Sequence, residues 1–289
     1  MTAIQVTGLR VSYGDLEAVK GVDLHVDEGE VLALLGPNGA GKTSTVEVLE
    51  GYRSRTAGQV SVLGVDPAER LLRDRIGIVL QESSSDPYLT TAEVLRKHAG
   101  YYARPRPVGE VLELVGLTDK AGARVRTLSG GQRRRLDVAL GIIGSPDLVF
   151  LDEPTTGFDP SARRDAWELV RTLTGGGTTV LLTTHYMDEA QALADRVVVI
   201  AQGQVVAEGP PDSLGGRDTD GVVIRFAAVH TPPVGSPVAD HLGHWEVRTT
   251  DEVTVLHQLT SWSLDTGTPL VGLTVARPSL EDVYLRLTS

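Results

Sequence analysis

Gly36-Pro37-Asn38-Gly39-Ala40-Gly41-Lys42-Thr43 carries more structural information than any other segment of this chain. The apolar run before it, residues 31–35, predicts a buried strand, and Lys42 to Glu50 has the pattern of a helix. The glycines let backbone N–H groups converge without obstruction from side chains. The amino terminus of the helix adds partial positive charge. The segment is therefore expected to form a tight turn that can hold an anion.

These residues fit the pattern G-x-x-x-x-G-K-[ST], and a strand before it and a helix after it are the setting of a P-loop. Lys42 would place its charge on the β- and γ-phosphates of a nucleotide. Thr43, followed by Ser44, would offer a hydroxyl to Mg²⁺. The alternative is a chance glycine-rich turn, but the flanking strand and helix argue against it. The segment predicts nucleotide binding with magnesium.

Two carboxylates end a second apolar strand, in the stretch Leu148-Val149-Phe150-Leu151-Asp152-Glu153. Ligands bind at the carboxyl edge of parallel sheets, where such side chains lie. Asp152 can hold Mg²⁺, usually through water, because this ion loses water reluctantly. Glu153 can take a proton from an attacking water. The alternative is a solvated strand end closed by Pro154; together with a P-loop, the pair favours a catalytic site.

Composition limits the classes of partner. The chain has 289 residues, 41% of them hydrophobic, a net charge of −11 and no cysteine. The charge argues against broad binding of nucleic acid, which needs a basic face. Arg133-Arg134-Arg135 is a local exception, either a solvated helix face or a group near phosphate or a partner. No apolar run approaches the roughly 18 residues that span a membrane, and no secretory signal is seen at the start. A cytoplasmic protein that reaches a membrane only through a partner is expected.

The order of elements indicates the architecture. Strands that alternate with helices predict a parallel sheet covered on both faces. Ser161 to Leu173 is expected to be a helix with Ser161 as its N-cap. The pattern weakens after about Leu214, and Gly215-Gly216 marks a loop. We therefore expect a domain over residues 1–214, with a helical subdomain at about 82–145, and a small α+β appendage over 215–289.

Leu128-Ser129-Gly130-Gly131-Gln132 resembles the signature of the ABC ATPases and lies shortly before the Asp152-Glu153 strand, as in that family. Other positions are similar to that family's adenine-stacking aromatic, Q-loop glutamine, D-loop and switch histidine, and these are Tyr13, Gln81, Phe158-Asp159 and His185. Plainer interpretations exist: Tyr13 as a strand aromatic, Gln81 as a surface strand end, His185 as a helix cap, and Ser129 to Gly131 as a helix start. The motif order favours the resemblance, which covers about residues 3–212.

The resemblance implies an α/β fold: a P-loop NTPase of ABC type with an N-terminal antiparallel β subdomain, a helical subdomain and a C-terminal α+β appendage. It implies that ATP and Mg²⁺ bind, with Asp152 and Gln81 at the metal and Glu153, His185 and Gln81 in catalysis. It also implies closure in trans, in which Ser129 to Gln132 and Asp159 contact nucleotide between two chains. The dimer would form from two copies or from one copy and a homologous ATPase chain.

Within the family, Glu153 to Pro160 and Thr184 to Ala190 are most similar to bacterial drug-export ATPases of the daunorubicin type. So is the ending Pro278 to Tyr284. This implies a separate membrane permease, met by Gln81 and the stretch of about residues 82–102, and a location on the inner face of the cell membrane. An importer ATPase and a soluble ABC protein acting on ribosomes or DNA are the alternatives. One P-loop, no long heptad run and an acidic balance argue against the latter.

Overall fold

The computed structural model describes residues 1–80, 85–216, 221–234, 238–239 and 244–288. Gln81, expected at the nucleotide and the metal, lies outside the described residues. The chain forms two compact units, Met1–Glu208 and Gly209–Ser289. The observed boundary follows Glu208. The expected boundary at residue 214 and the expected helical subdomain at about 82–145 stay predictions.

The first unit contains most of the strands. They are β1 (Thr2–Tyr13), β2 (Leu16–Asp27), β3 (Val31–Leu35), β4 (Ala57–Val62), β5 (Ile76–Val79), β6 (Leu148–Asp152), β7 (Thr179–Thr183), β8 (Arg196–Ala201) and β9 (Gln204–Gly209). Its helices are α1 (Lys42–Leu49), α2 (Arg70–Arg73), α3 (Thr91–Ala99), α4 (Val108–Leu114), α5 (Gly130–Ile142), α6 (Pro160–Gly175) and α7 (Met187–Leu193). The predicted strand at 31–35 and the helix after it are confirmed.

The strands of this unit form two sheets. A three-stranded antiparallel sheet has the order β2-β1-β4, and a six-stranded sheet has the order β5-β6-β7-β3-β8-β9. In the larger sheet β3 pairs in parallel with β7 and β8, and β6 pairs in parallel with β5 and β7. Every residue of β3 and β7 is buried. That is why β3 reads as an unbroken apolar run and β7 has polar residues only at its two ends, as expected of strands covered on both faces.

The main core lies between these two sheets. Alternate residues of β1 and β2, among them Ile4, Val6, Leu24 and Val26, are buried against one side of the larger sheet and α1. Phe150 of β6 is among the largest fully buried side chains of this core. Burial of such side chains gives roughly 1.5–3 kcal/mol each and fixes the strand ends that carry polar residues.

The carboxyl ends of three strands meet at one edge of the larger sheet. Leu34 of β3 and Asp152 of β6 both stand in register with Thr183 of β7. The loop after β3, the carboxylates after β6 and the segment after β7 are therefore neighbours. This is the edge at which α/β sheets bind ligands.

Helix α6 corrects one expectation from the sequence. It begins at Pro160, and the side chain of Asp159 caps it by accepting from the N–H groups of Ser161 and Ala162, both at 2.9 Å. The prediction that Ser161 is the N-cap is wrong, because proline fits the first helical position and needs no hydrogen-bond acceptor for a backbone N–H.

None of the described helices is both long and apolar enough to cross a membrane.

The second unit has its own small core. Its strands are β10 (Val222–Ala227), β11 (Val238–Ala239), β12 (His244–Thr249) and β13 (Val271–Ala276), in the antiparallel order β11-β12-β10-β13. Its helices are α8 (Glu252–Thr266) and α9 (Leu280–Thr288). Ile224, Phe226, Val247 and Leu259 pack together. The described residues thus have the α+β composition that the sequence predicts for this part.

Candidate functional site

The loop between β3 and α1 borders a cavity of about 350 Å³ at the carboxyl edge of the sheet. Two glycines are sterically required there. A Cβ on Gly36 would lie 2.2 Å from the carbonyl O of Ile200, and one on Gly41 would lie 2.6 Å from that of Ala18. Gly41 also has a φ of 103°. Glycine therefore lets the loop approach its neighbours closely and adopt a backbone conformation that side chains disfavour. The lining consists of Tyr13, Leu16, Ala18, Asn38, Gly39, Ala40, Gly41, Lys42, Thr43, Ser44, Asp152, Glu153 and Thr183.

Lys42 provides the positive charge of this cavity. Its Nζ donates to the carbonyl O of Gly36 at 2.6 Å and of Pro37 at 3.1 Å, which holds the ammonium over the loop. Partial burial lowers the pKa of Lys42, while Glu153 and Asp152 act in the opposite direction. The carboxylates thus favour the charged ammonium in a half-buried setting, where its attraction for phosphate is screened less than in water.

Asp152 and Glu153 follow one another at the end of β6, but the chain holds them differently. Asp152 Oδ1 accepts a short hydrogen bond from Thr183 Oγ1. Glu153 has a φ of 45°, and its Oε2 accepts from Thr156 Oγ1 at 3.1 Å. A positive φ is unfavourable for a residue with a Cβ, and such strained residues cluster at functional sites. The kink turns Glu153 out of the strand direction and into the cavity.

His185 lies next to Glu153. Its Nδ1 is 3.2 Å from Glu153 Oε1, and its ring is in tilted contact with Tyr186, at 4.1 Å between centroids. About half of the His185 side chain is exposed, compared with 22% of Glu153. The structure therefore brings the expected switch histidine to the expected base, with its ring accessible from outside the chain.

Tyr13 is placed at the rim of the cavity. Its hydroxyl is 2.8 Å from Ser44 Oγ, and the guanidinium of Arg53 lies 4.5 Å from the centre of its ring. Arg53 is in turn bonded to Glu47. An aromatic ring fixed in this way, 42% exposed, can stack on a planar base. Arg53 was not predicted, since nothing in sequence spacing brings it to Tyr13.

The Ser129–Gln132 segment forms the start of α5 and is not part of the cavity lining. Ser129 Oγ accepts from the N–H of Gln132 at 3.3 Å, and Gln132 Oε1 accepts from the N–H of Ser129 at 3.0 Å. Ser129 and Gly130 are exposed. Asp159, expected to contact nucleotide between two chains, caps α6 and does not line the cavity of its own chain. Within one chain, these residues and the P-loop cavity stay separate.

The three arginines after the signature have different environments. Arg133 is exposed, Arg135 forms a short ion pair with Asp165, and Arg134 is buried with 8% of its surface exposed. Arg134 donates to backbone carbonyls around the end of β6. The sequence left a solvated helix face and a role near phosphate open for all three. Periodicity alone gives no signal that the middle one points inward.

Glu50 is a buried carboxyl at the end of α1, with 8% of its surface exposed. Burial first, and then the nearby charges of Asp152 and Glu47, raise the pKa of Glu50 to about 8. The group is therefore mostly protonated at neutral pH and lets a polar side chain lie under the P-loop helix without an unpaired charge.

The fold and this cavity define a P-loop ATPase of the ABC type. A family model described as "ABC transporter" matches residues 19–156. Two solved structures resemble the chain: an ATP binding subunit of an ABC transporter and a dimeric bacterial ABC transporter cassette. The first is 27% identical with a TM-score of 0.67, covering 73% of this chain and 91% of that one. The second is 25% identical with a TM-score of 0.64, covering 72% and 98%.

Curated relatives cover the whole length. The daunorubicin resistance ATP-binding protein DrrA2 of Streptomyces coeruleorubidus is 41% identical over 99% of this chain and 95% of the relative. The Nod factor export ATP-binding protein I of Rhizobium sp. (strain N33) is 39% identical over 99% and 97%. The chain belongs to the ABC transporter family as an ATP-binding subunit, and its activity is ATP hydrolysis.

Proposed function

We propose that this chain hydrolyses ATP to power export of a drug-like or hydrophobic compound through a separate membrane permease. The observation that carries the proposal is one cavity that holds Lys42, Thr43, Asp152 and Glu153 at the edge of the sheet. The names of the full-length relatives, drug resistance and Nod factor export, support export and do not favour the importer and soluble alternatives.

The triphosphate would lie along the loop of residues 36–43. Its oxygens would accept from backbone N–H groups of the loop, and Lys42 Nζ would exchange its loop carbonyls for the β- and γ-phosphates. The adenine would stack on Tyr13, whose ring Arg53 and Ser44 hold in place. One bound nucleotide would therefore contact both the loop of residues 36–43 and the ring of Tyr13.

The same cavity fits a magnesium ion. Thr43 offers a hydroxyl and Asp152 a carboxylate, the hard oxygen ligands that Mg²⁺ prefers. Thr43 and Asp152 would hold the ion, directly or through water, and Gln81 is proposed as a further ligand. When bound, the ion neutralises charge on the phosphates.

Glu153 is the proposed general base. Its left-handed backbone turns the carboxylate into the cavity, where it would orient a water and accept its proton during attack on the γ-phosphate. His185 bonds to that carboxylate in this structure, and we propose that it contacts the γ-phosphate and registers its release. Gln81 is proposed to assist at the same phosphate. These roles divide the chemistry among strand ends that the sheet holds side by side.

The open side of the cavity needs a second chain. Ser129 to Gln132 and Asp159 lie outside the cavity of their own chain, while the starts of α5 and α6 are capped and intact. A Cβ on Gly130 or Gly131 would meet nothing within 4 Å, so packing within this chain does not require glycine there. We propose that two chains, identical or homologous, pack head to tail, so that each signature segment closes the partner's nucleotide site.

The surface around α3 suits a protein partner. Tyr52, Tyr88 and Tyr101 are each about 70% exposed, and tyrosine is enriched at protein interfaces. A cavity of about 470 Å³ includes Tyr52, Leu80, His98 and Tyr102 in its lining. We propose that the permease docks here, near residues 82–102, and holds the chain on the inner face of the cell membrane. Nucleic acid is not an expected partner.

Reconstitution tests this proposal. The chain would be co-purified with its membrane partner and placed in vesicles with the ATPase facing outward. The proposal predicts ATP turnover that a hydrophobic substrate stimulates, and ATP-dependent accumulation of that substrate inside the vesicles. Movement of the substrate out of such vesicles would contradict export, and no turnover in the complex would contradict the ATPase role.

A further inference from the structure

Arg134 lies in the second turn of α5, and its buried guanidinium bonds to backbone carbonyls. Nη2 donates to the carbonyl O of Asp152 at 2.8 Å and of Glu153 at 3.3 Å. Nε donates to that of Pro154 at 3.1 Å, and Nη1 makes a short bond to that of Leu80. A buried guanidinium must have such acceptors. These four bonds are made to backbone carbonyls, whereas the carboxylates of Asp152 and Glu153 contact Thr183, Thr156 and His185.

One nitrogen of Arg134 holds both peptide groups that flank the Cα of Glu153. The carbonyl of Asp152 belongs to the peptide before that Cα, and the carbonyl of Glu153 belongs to the peptide after it. Two bonds to one nitrogen therefore restrain both backbone torsions of Glu153. This is the residue with a φ of 45°, a conformation that persists only where surrounding contacts enforce it. Thr183 and Thr156 also bond to the backbone of Glu153, so the loss of Arg134 would weaken the restraint on that backbone without removing all of it.

Arg134 also belongs to the helix that begins at the signature. Ser129 caps α5 little more than one turn before it. If α5 shifts when its amino end contacts the nucleotide of a second chain, the helix would carry that shift to Arg134. Arg134 would in turn move the backbone of Glu153. We propose that Arg134 is a positioning residue, which holds Glu153 in its catalytic conformation and couples it to the signature helix. This inference rests on the proposed role of Glu153 as base.

The planar fork of arginine is what this position requires. Its nitrogens point in fixed, separate directions and reach the acceptors from three sides, whereas a lysine ammonium acts as a point charge on a flexible stem. Asp137, Asp152, Glu189 and Glu153 all contribute negative potential at the guanidinium. Arg134→Lys therefore keeps the charge and loses most of the restraint on the Glu153 backbone.

The test compares Arg134→Gln, Arg134→Lys and the control Arg133→Gln, an exposed position on the same helix. ATP turnover and the affinity for a fluorescent ATP analogue are measured on the full chain. Arg134→Gln is expected to lower turnover roughly tenfold or more while affinity stays within about twofold. The turnover of Arg134→Lys should lie between that of Arg134→Gln and that of the unmodified chain. If Arg134→Gln fails to fold, Arg134→Lys provides the test. Arg133→Gln should stay within about twofold of the unmodified chain.

A second comparison separates positioning from general stability. If Arg134 acts through Glu153, Arg134→Gln should lower the residual turnover of a Glu153→Gln chain by less than about twofold. If Arg134→Gln lowers turnover by the same factor in the unmodified chain and in the Glu153→Gln chain, the inference is overturned. It is also overturned if the turnover of Arg134→Gln equals that of the unmodified chain, or if its affinity for the ATP analogue falls as much as its turnover. Wild-type turnover in Glu153→Gln alone would instead remove the proposed base, and this inference with it.

Discussion

The two halves of the proposed nucleotide site differ in how far this chain determines their shape. The phosphate half, residues 36–43 with Asp152 and Glu153, is fixed by its own neighbours, since a Cβ on Gly36 would collide with Ile200. The signature half, Ser129 to Gln132, is partly exposed, and its glycines have open space around them. One half is therefore determined within a single chain, whereas the other is open to the second chain that we propose.

The largest effect is expected from the base in the phosphate half. Glu153→Gln keeps the shape and removes the proton acceptor, so turnover should fall about 10²–10⁴-fold, roughly 3–5 kcal/mol of barrier, with ATP still bound. Steady-state hydrolysis and nucleotide titration measure the two effects, and size-exclusion chromatography should show a dimer trapped by ATP. Glu28→Gln, exposed at the opposite end of β3, is the control. Hydrolysis by Glu153→Gln at the unmodified rate would refute the role.

The next largest effect on turnover is expected from the signature half. Gly131→Asp places a carboxylate in the first turn of α5. The helix dipole favours a negative charge there, and a Cβ at this position meets no neighbour within 4 Å in its own chain. The folded chain should be as stable as before, yet turnover should fall on the order of 10²-fold because the charge repels the partner's nucleotide.

Gly109→Asp is the matched control for this change. Gly109 holds the same place in the first turn of α4, and a Cβ there also meets nothing within 4 Å. Thermal unfolding should be alike for both variants, while only Gly131→Asp loses turnover. Equal turnover in the two variants would mean that the signature segment faces nothing charged.

The smallest effect concerns stability under the phosphate half. The folded pKa of Glu50, about 8, exceeds its ordinary value of 4.5, so its contribution to stability is fully present below pH 4.5 and is lost as pH rises toward 8. Between pH 5.5 and 7.5 the free energy of unfolding should fall by about 2 kcal/mol more in the unmodified chain than in Glu50→Gln. Urea unfolding at both pH values measures this, and parallel changes would argue against the raised pKa.

The sequence predicts the phosphate half well because its chemistry is local. The strand, the glycine turn, Lys42 and the helix follow one another, and the fold brings Asp152 to them through an ordinary parallel pairing. The roles given to site residues stay predictions, since the structure fixes their places and not their chemistry.

What the sequence could not provide depends on tertiary contact. Arg134 is one of three adjacent arginines, and only packing shows that it is the buried one. Arg53 reaches Tyr13 across a long sequence separation. In each case the deciding acceptor or ring comes from a distant segment, which spacing does not encode.

Mixing two inactive variants tests most directly whether two chains share one nucleotide. Lys42→Ala weakens ATP binding in the phosphate half, and Gly131→Asp disables the signature half. Each alone should be inactive. In a mixed dimer, one site combines the intact halves, so turnover should return to about a quarter of the unmodified rate, because random pairing makes half of the dimers mixed and each has one good site. Mixtures that stay as inactive as the separate variants would contradict the shared site.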